Sequence, residues 1–235
     1  MKKITIITGL LLLVCTAFQA NAQKKLVRNL PTYDDKIIHF GFIIGLNSAK
    51  LTPDFKASYS QDSDVLLIEP QRVGGFNVGA IADLRIHKRM NLRFIPSFTL
   101  TKEDVKFVFR DPNSSIPDTE TKTVESAFLE LPLFLKYRSN RINNGRPYLL
   151  AGVKYIIDMS SEKEVKDETI FKLNDSDVAL EIGFGIDIYL EYFKFAPEIR
   201  YSYGLTNLLV DDGSIYTKHI DGLYNRGLYL TLTFE

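Results

Sequence analysis

The chain has a single cysteine, no surplus of either charge and no long apolar run after its first twenty residues, and each lack closes off a class of function. Cys15 lies inside the apolar N-terminal stretch, so a chain processed beyond it carries no thiol, and disulfides, thiolate metal sites and cysteine nucleophiles are excluded. Twenty-nine Lys and Arg balance 29 Asp and Glu. There is no basic block, zinc-finger spacing or aromatic RNA-binding motif, so no nucleic-acid partner is expected. No later segment offers the roughly 18 consecutive apolar residues of a membrane-spanning helix. A soluble exported protein and a transmembrane β-barrel both survive that test.

The N-terminus sets the compartment. Lys2 and Lys3 precede an apolar core from Ile4 to Phe18, and Ala20-Asn21-Ala22 supplies a small-x-small cleavage pattern. The apolar core falls short of the roughly 20 residues a spanning helix needs, so residues 1–22 read as a signal peptide and Gln23 as the mature start. Val14 is not the small residue that a lipidated Cys15 would want before it. The mature chain then divides into a short segment, 23–36, and one domain, 37–235, a length that suits an all-β barrel.

Alternation with a period of two runs through that domain. Ile38, Phe40, Phe42, Ile44 and Leu46 alternate with His39, Gly41, Ile43 and Gly45; Val178 to Leu190 repeats the pattern against Ala179, Glu181, Gly183, Gly185, Asp187 and Tyr189. Successive strand side chains point to opposite faces, so each such segment carries one apolar strip. Similar segments occupy 76–86, 92–100, 127–137, 149–157, 193–205 and 228–234. The count is eight, an even number as in bacterial outer-membrane barrels. Pro96, Pro132 and Pro197 fall inside these segments and, lacking an N–H, require a bulge, a strand end or a non-bonded position.

Alternation is blind to which face is enclosed. Three features place lipid outside. The apolar strips last about 9–11 residues, the span of a tilted strand across a bilayer. The other faces are rich in glycine, tyrosine and both charge signs, which suits a crowded lumen. Connections alternate between short (87–90, 139–146, Glu191-Tyr192) and long and polar (47–70, 101–124, 159–176, 206–222), as periplasmic turns and extracellular loops do. The expected fold is therefore an all-β, eight-stranded, antiparallel up-and-down transmembrane β-barrel, exported to the outer membrane and in contact with its lipid.

The enclosed face would hold Arg85, Arg93, Lys136, Arg138, Lys154, Lys194 and Arg200 with Asp83, Glu130, Asp158, Glu181, Asp187 and Glu198. An eight-stranded barrel is just wide enough for side chains to fill, and buried charges must be paired. These residues read as a salt-bridged structural plug, with a narrow ion path as the sharper alternative. No catalytic, cofactor or metal site is expected, and the protein is read as non-enzymatic. His39 faces the lumen, His87 lies in a short turn, and His219 beside Asp221 with Ser214 nearby is a weak dyad. Gly74-Gly75 and Gly183-x-Gly185 precede no helix, and Asp211-Asp212-Gly213 lacks a full calcium-loop spacing, so packing and turns explain them.

One stretch carries a resemblance. Asn29-Leu30-Pro31-Thr32-Tyr33-Asp34-Asp35-Lys36, followed by Ile38-His39-Phe40-Gly41-Phe42 and Gly45-Leu46-Asn47, resembles the N-terminal signature of the PorT family, outer-membrane barrels of the Bacteroidetes. Leu129-Glu130-Leu131-Pro132, Lys136-Tyr137-Arg138, Tyr148-Leu149-Leu150-Ala151-Gly152 and Gly183-Phe184-Gly185 are similar to strand motifs of the wider barrel group. The resemblance implies a role in type IX secretion, the export of proteins to the cell surface, with other secretion-system proteins as partners and no catalytic residues. Two other classes of function are kept open: an adhesin-like barrel that binds a surface ligand through its loops and, as the weakest, a lipid-modifying barrel enzyme using His219. In each case the segment 23–36 is expected on the periplasmic side, either docking a partner or hanging as a disordered leader.

Overall fold

The computed structural model describes residues 27–55, 65–71, 73–109, 118–159, 174–209 and 220–235. The leader, His219, Ser214 and the 211–213 run lie outside the described residues. A one-turn 3-10 helix, Tyr33–Asp35, precedes the strands. These are β1 Ile38–Phe55, β2 Val65–Gln71, β3 Val73–His87, β4 Met90–Phe94, β5 Ser97–Phe109, β6 Asp118–Arg138, β7 Gly145–Asp158, β8 Ser176–Tyr189, β9 Lys194–Gly204 and β10 Ile220–Phe234.

Every pairing is antiparallel, and the ladder closes on itself. β1 pairs with β3, from Ile38 opposite Leu84 to Ala49 opposite Val73, and along its other edge with β10, from Phe42 opposite Phe234 to Phe55 opposite Ile220. Between them the order runs through β9, β8, β7, β6 and the β4–β5 stave. Closure leaves no unpaired edge within the ring, which lets a sheet sit in hydrocarbon with every backbone group bonded.

Among the described residues the eight expected staves comprise nine strands, with a tenth, β2, beside them, for two physical reasons. Pro96 has no N–H, so the stave expected at 92–100 breaks at Ile95-Pro96 into β4 and β5. Both halves still pair with β3 and β6, and the gap is bridged by Ala80 N–H to the Pro96 carbonyl (3.0 Å) and Ile95 N–H to the Pro132 carbonyl (3.2 Å). The second reason is β2, which lies in the segment read as a long loop and pairs with the outer part of β5. The connections expected at 47–70 and 101–124 are thus largely strand: β1 runs on to Phe55, β5 to Phe109, and β6 begins at Asp118. At 18 and 21 residues, β1 and β6 outrun the roughly 9–11 residues that cross a bilayer. Pro197 sits where the β8–β9 register is interrupted between Gly185 and Ile188.

The burial of the two faces decides the sidedness. Along β9 every second residue from Lys194 to Gly204 is buried, while Ile199, Tyr201 and Tyr203 between them are exposed. The same holds around the ring: Phe40, Phe98, Ile182 and Leu230 point outward, and Arg93, Lys136, Lys154 and Glu198 point inward. Exposed apolar area on this scale needs a hydrocarbon solvent. Within the lumen, Ile43, Ile81, Ile95, Phe134, Tyr148, Leu150 and Ala196 form an apolar layer among the charges. Glycine makes room for it at one position: the Tyr148 ring lies where a side chain on its cross-strand neighbour Gly185 would stand.

Candidate functional site

The enclosed charges gather into two linked sets. Nearer the short-turn end, Arg93 on β4 binds three carboxylates: Asp83 at 2.8 Å, Glu198 at 2.6 Å and Glu235 at 2.7 Å. Asn91 also donates to Asp83. Lys194 reaches Glu235 at 2.8 Å and Asp187 at 3.7 Å, and Lys136 reaches Asp187 at 2.8 Å. Tyr148 ties the set together, its hydroxyl donating to Glu198 (2.5 Å) and its ring lying 3.6 Å below the Lys136 ammonium.

In the second set, Lys154 pairs with Glu181 at 2.9 Å and Glu130 at 3.3 Å, and donates to the Tyr229 oxygen at 2.9 Å. Tyr229 in turn donates to Glu130 at 2.8 Å. Arg200 joins the sets, lying 3.5 Å from Glu181 and 3.8 Å from Glu198. These pairs offset the cost of enclosing charge more than they add stability, because each ion has left water to meet its partner. Their chemical consequence is closure: Arg93, Phe134, Lys136, Tyr148 and Lys154, all fully enclosed, occupy the cross-section.

Two of the expected lumen residues, Arg85 and Arg138, belong instead to the mouth at the short-turn end, which in outer-membrane barrels faces the periplasm. Residues 27–36 fold across that mouth as a strap. Asp34 is its anchor. Arg146 meets the two carboxylate oxygens at 2.8 and 3.0 Å, Arg138 approaches at 3.3 Å, and the Tyr189 hydroxyl donates at 3.2 Å. Arg85 donates to the carbonyls of Asp34 and Asp35. Tyr33 stacks on His39 with ring centres 4.2 Å apart and donates to Glu235 at 3.1 Å.

Further back, Asn29 N–H donates to Asn144 (3.0 Å), Asn29 Nδ2 to the Tyr189 carbonyl (3.0 Å), and Asn144 Nδ2 to the Val27 carbonyl (2.9 Å). Arg141 donates to the Asn29 and Leu30 carbonyls while its guanidinium lies 3.7 Å from the centre of the Tyr189 ring. Leu30 has a φ of 47°, left-handed backbone that costs a leucine about 1–2 kcal/mol. The mouth contacts hold it there. From Val27 onward, then, the segment is packed against the barrel and is not a free leader.

Burial alone would raise the Asp34 carboxyl, but the Arg146 guanidinium, with Arg138 and the Tyr189 hydroxyl, holds it below its ordinary value of 3.8. A carboxyl lowered in the folded state stabilises the docked strap above its free value and loses that contribution as the pH falls through the lowered one. A nitroxide at Thr32→Cys on a chain lacking residues 1–22 is therefore expected to be immobile at neutral pH and to loosen only below about pH 4. Asp34→Asn should loosen it at all pH values. A label equally immobile in both forms would show that the carboxylate does not hold the strap.

Sequence reasoning missed Glu235, Asp34 and Arg146. Glu235 continues the odd-numbered lumen face of Tyr229, Thr231 and Thr233, and Arg146 the even-numbered one of Tyr148 and Leu150, so extending the period by one step would have found both. Asp34 has no such signal, because it lies outside any strand. At the outer end a cavity of about 20 Å³ lies between Leu51, Phe128, Ile156, Asp177, Leu208 and Asn225, room for about one water molecule. Among the described residues no three His, Cys, Asp or Glu side chains converge as a metal-binding set. His39 is committed to the strap, within 2.7 Å of the Tyr33 carbonyl, and His87 is exposed at the end of β3.

No curated protein sequence matches the chain. Among solved structures it is similar to OprG of Pseudomonas aeruginosa, with 16% identity, a TM-score of 0.44 and coverage of 83% of this chain and 93% of that one. It is also similar to Neisserial surface protein A (12% identity, TM-score 0.43, 84% and 98% covered) and to Ail of Yersinia pestis (12%, 0.37, 83% and 96%). The family described as outer membrane protein beta-barrel domain matches residues 21–210. With a closed antiparallel ring, apolar side chains outward and paired charges enclosed, the chain belongs to that outer-membrane β-barrel family.

Proposed function

We propose that this barrel is a non-enzymatic accessory of type IX secretion, acting from its periplasmic face. The observation that supports the reading is the strap. Asn29 to Lys36, the stretch with the PorT resemblance, is the one on which the mouth expends Arg85, Arg138, Arg141 and Arg146. A lumen filled by side chains cannot pass a folded cargo, so a role in export has to be exercised through the outer wall, the loops or this mouth. Its partners on this reading are outer-membrane lipid and other secretion-system proteins.

The test is the secreted proteome of a strain with the gene deleted, and of one in which residues 24–35 are deleted while the barrel still assembles. Many surface proteins should disappear together in both. Unchanged export in the gene deletion, with loss of a single ligand-binding trait instead, would leave the adhesin-like reading.

A further inference from the structure

The mouth handles the strap as a receptor handles a peptide. Its contacts divide into two kinds. Arg141 and Asn144 hold main-chain carbonyls of Val27, Asn29 and Leu30, contacts that set register and ignore side-chain identity. Tyr33 and Asp34 are read by their side chains, as is Asn29 through its amide on the Tyr189 carbonyl. The Arg146 fork on the Asp34 carboxylate is the bidentate geometry by which guanidinium groups select acidic groups. Beside it, Tyr33 fills a slot formed by His39 face-on at 4.2 Å, Tyr189 edge-on at 5.9 Å and the Lys194 ammonium 4.8 Å from its ring centre.

Two further observations point to an occupant that can leave. The strap stays docked with Leu30 at a left-handed φ of 47°, strain that release would relieve and that a differently sequenced peptide need not carry. The rim also keeps positive charge beyond what Asp34 uses: Lys88 and Arg89 are exposed in the β3–β4 turn. That charge favours the approach of an acidic segment.

We propose that the periplasmic mouth is a peptide-binding site for an aromatic residue followed by aspartate, kept self-occupied by residues 27–35, and that a periplasmic partner bearing that chemistry enters by displacing the strap. The tethered strap competes at an effective concentration on the order of millimolar, so a free peptide gains access at a comparable concentration, or at a lower one when the tethered contacts weaken. The inference rests on the geometry of the mouth and not on the secretion reading. The two fail separately, one in a binding assay and the other in a secreted proteome.

The probe is a fluorescent peptide with the sequence of residues 27–36, titrated by anisotropy against the chain lacking residues 1–22 in detergent micelles. The wild-type chain should bind it weakly, and Asp34→Asn in the chain should raise the affinity at least tenfold. Adding Arg146→Gln to that variant should reverse the gain, and a probe carrying D34N should bind neither form. Asp34→Asn is isosteric and precedes the first strand. Should it still disturb assembly, the nitroxide at Thr32→Cys in the otherwise unaltered chain supplies the second reading, becoming mobile as millimolar peptide is added. Equal affinity of the wild-type and Asp34→Asn chains, indifference to Arg146→Gln, equal binding of the D34N probe, or a label that stays immobile overturns the proposal.

Discussion

Replacing Arg93 with methionine is expected to cost about 3–5 kcal/mol, because removing one member of a buried ionic group leaves its partners charged and uncompensated. Arg93 is the sole cation within ion-pair distance of Asp83 among the described residues, and it also binds Glu198 and Glu235. Against a total stability of about 5–15 kcal/mol, that loss should be visible as a large fall in the urea midpoint of unfolding from lipid vesicles. Neutralising Asp83 as well, with Asp83→Asn, should recover part of it, since Glu198 and Glu235 keep Arg200 and Lys194 as partners and the stranded charge is that of Asp83. An Arg93→Met barrel within about 0.5 kcal/mol of the wild type, the range of an ordinary surface change, would show that water reaches the carboxylates and the lumen is not closed.

The second large effect is expected on the opposite face. Ile182 lies near the middle of β8, opposite Ala151 and Tyr201, with 63% of its surface exposed. Ile182→Arg should cost about 2–4 kcal/mol if that surface meets the bilayer midplane. Ile142, at 70% exposure in the β6–β7 turn, is the control, because it stands outside hydrocarbon and Ile142→Arg should be neutral within about 0.5 kcal/mol. Solvent exposure is similar at the two positions, so only the identity of the solvent separates them. Equal, small effects at both would mean that water covers the apolar band.

The two predictions address the two faces of one ladder, and together they explain why the lumen's composition is not free to drift. An outward charge is penalised by lipid, whereas an inward charge is tolerated only with its partner. Tyr148 shows how tightly the inside is fitted. It donates to Glu198, lies under Lys136 and covers Gly185, so it joins a hydrogen bond to a carboxylate, a cation–π contact and a glycine gap in one side chain.

Much of this barrel was legible as a period. Two-residue alternation assigns each strand residue to one of two faces whatever the tertiary structure, because successive Cβ atoms point to opposite sides of a pleated strand. It therefore identified all eight staves and paired Asp83, Arg93, Lys136, Lys154, Glu181 and Glu198 onto a common side. It failed where the pattern is weak or interrupted. β2 sits in a segment dominated by its polar surroundings. Pro96 breaks a stave that alternation joins, because the missing N–H leaves the parity of the side chains unchanged.

Alternation by itself determined which residues share a face, and strip length with loop order indicated which face meets lipid. Only the tertiary structure decided how the ring closes, which charges meet and where the N-terminal segment goes. The reason is range. Arg93 finds Glu198 across 105 residues and Asp34 finds Arg146 across 112, separations at which no local pattern operates. The first pair exists because ring closure brings β4 and β9 to opposite walls of one narrow lumen, and the second because the strap crosses the mouth of that ring.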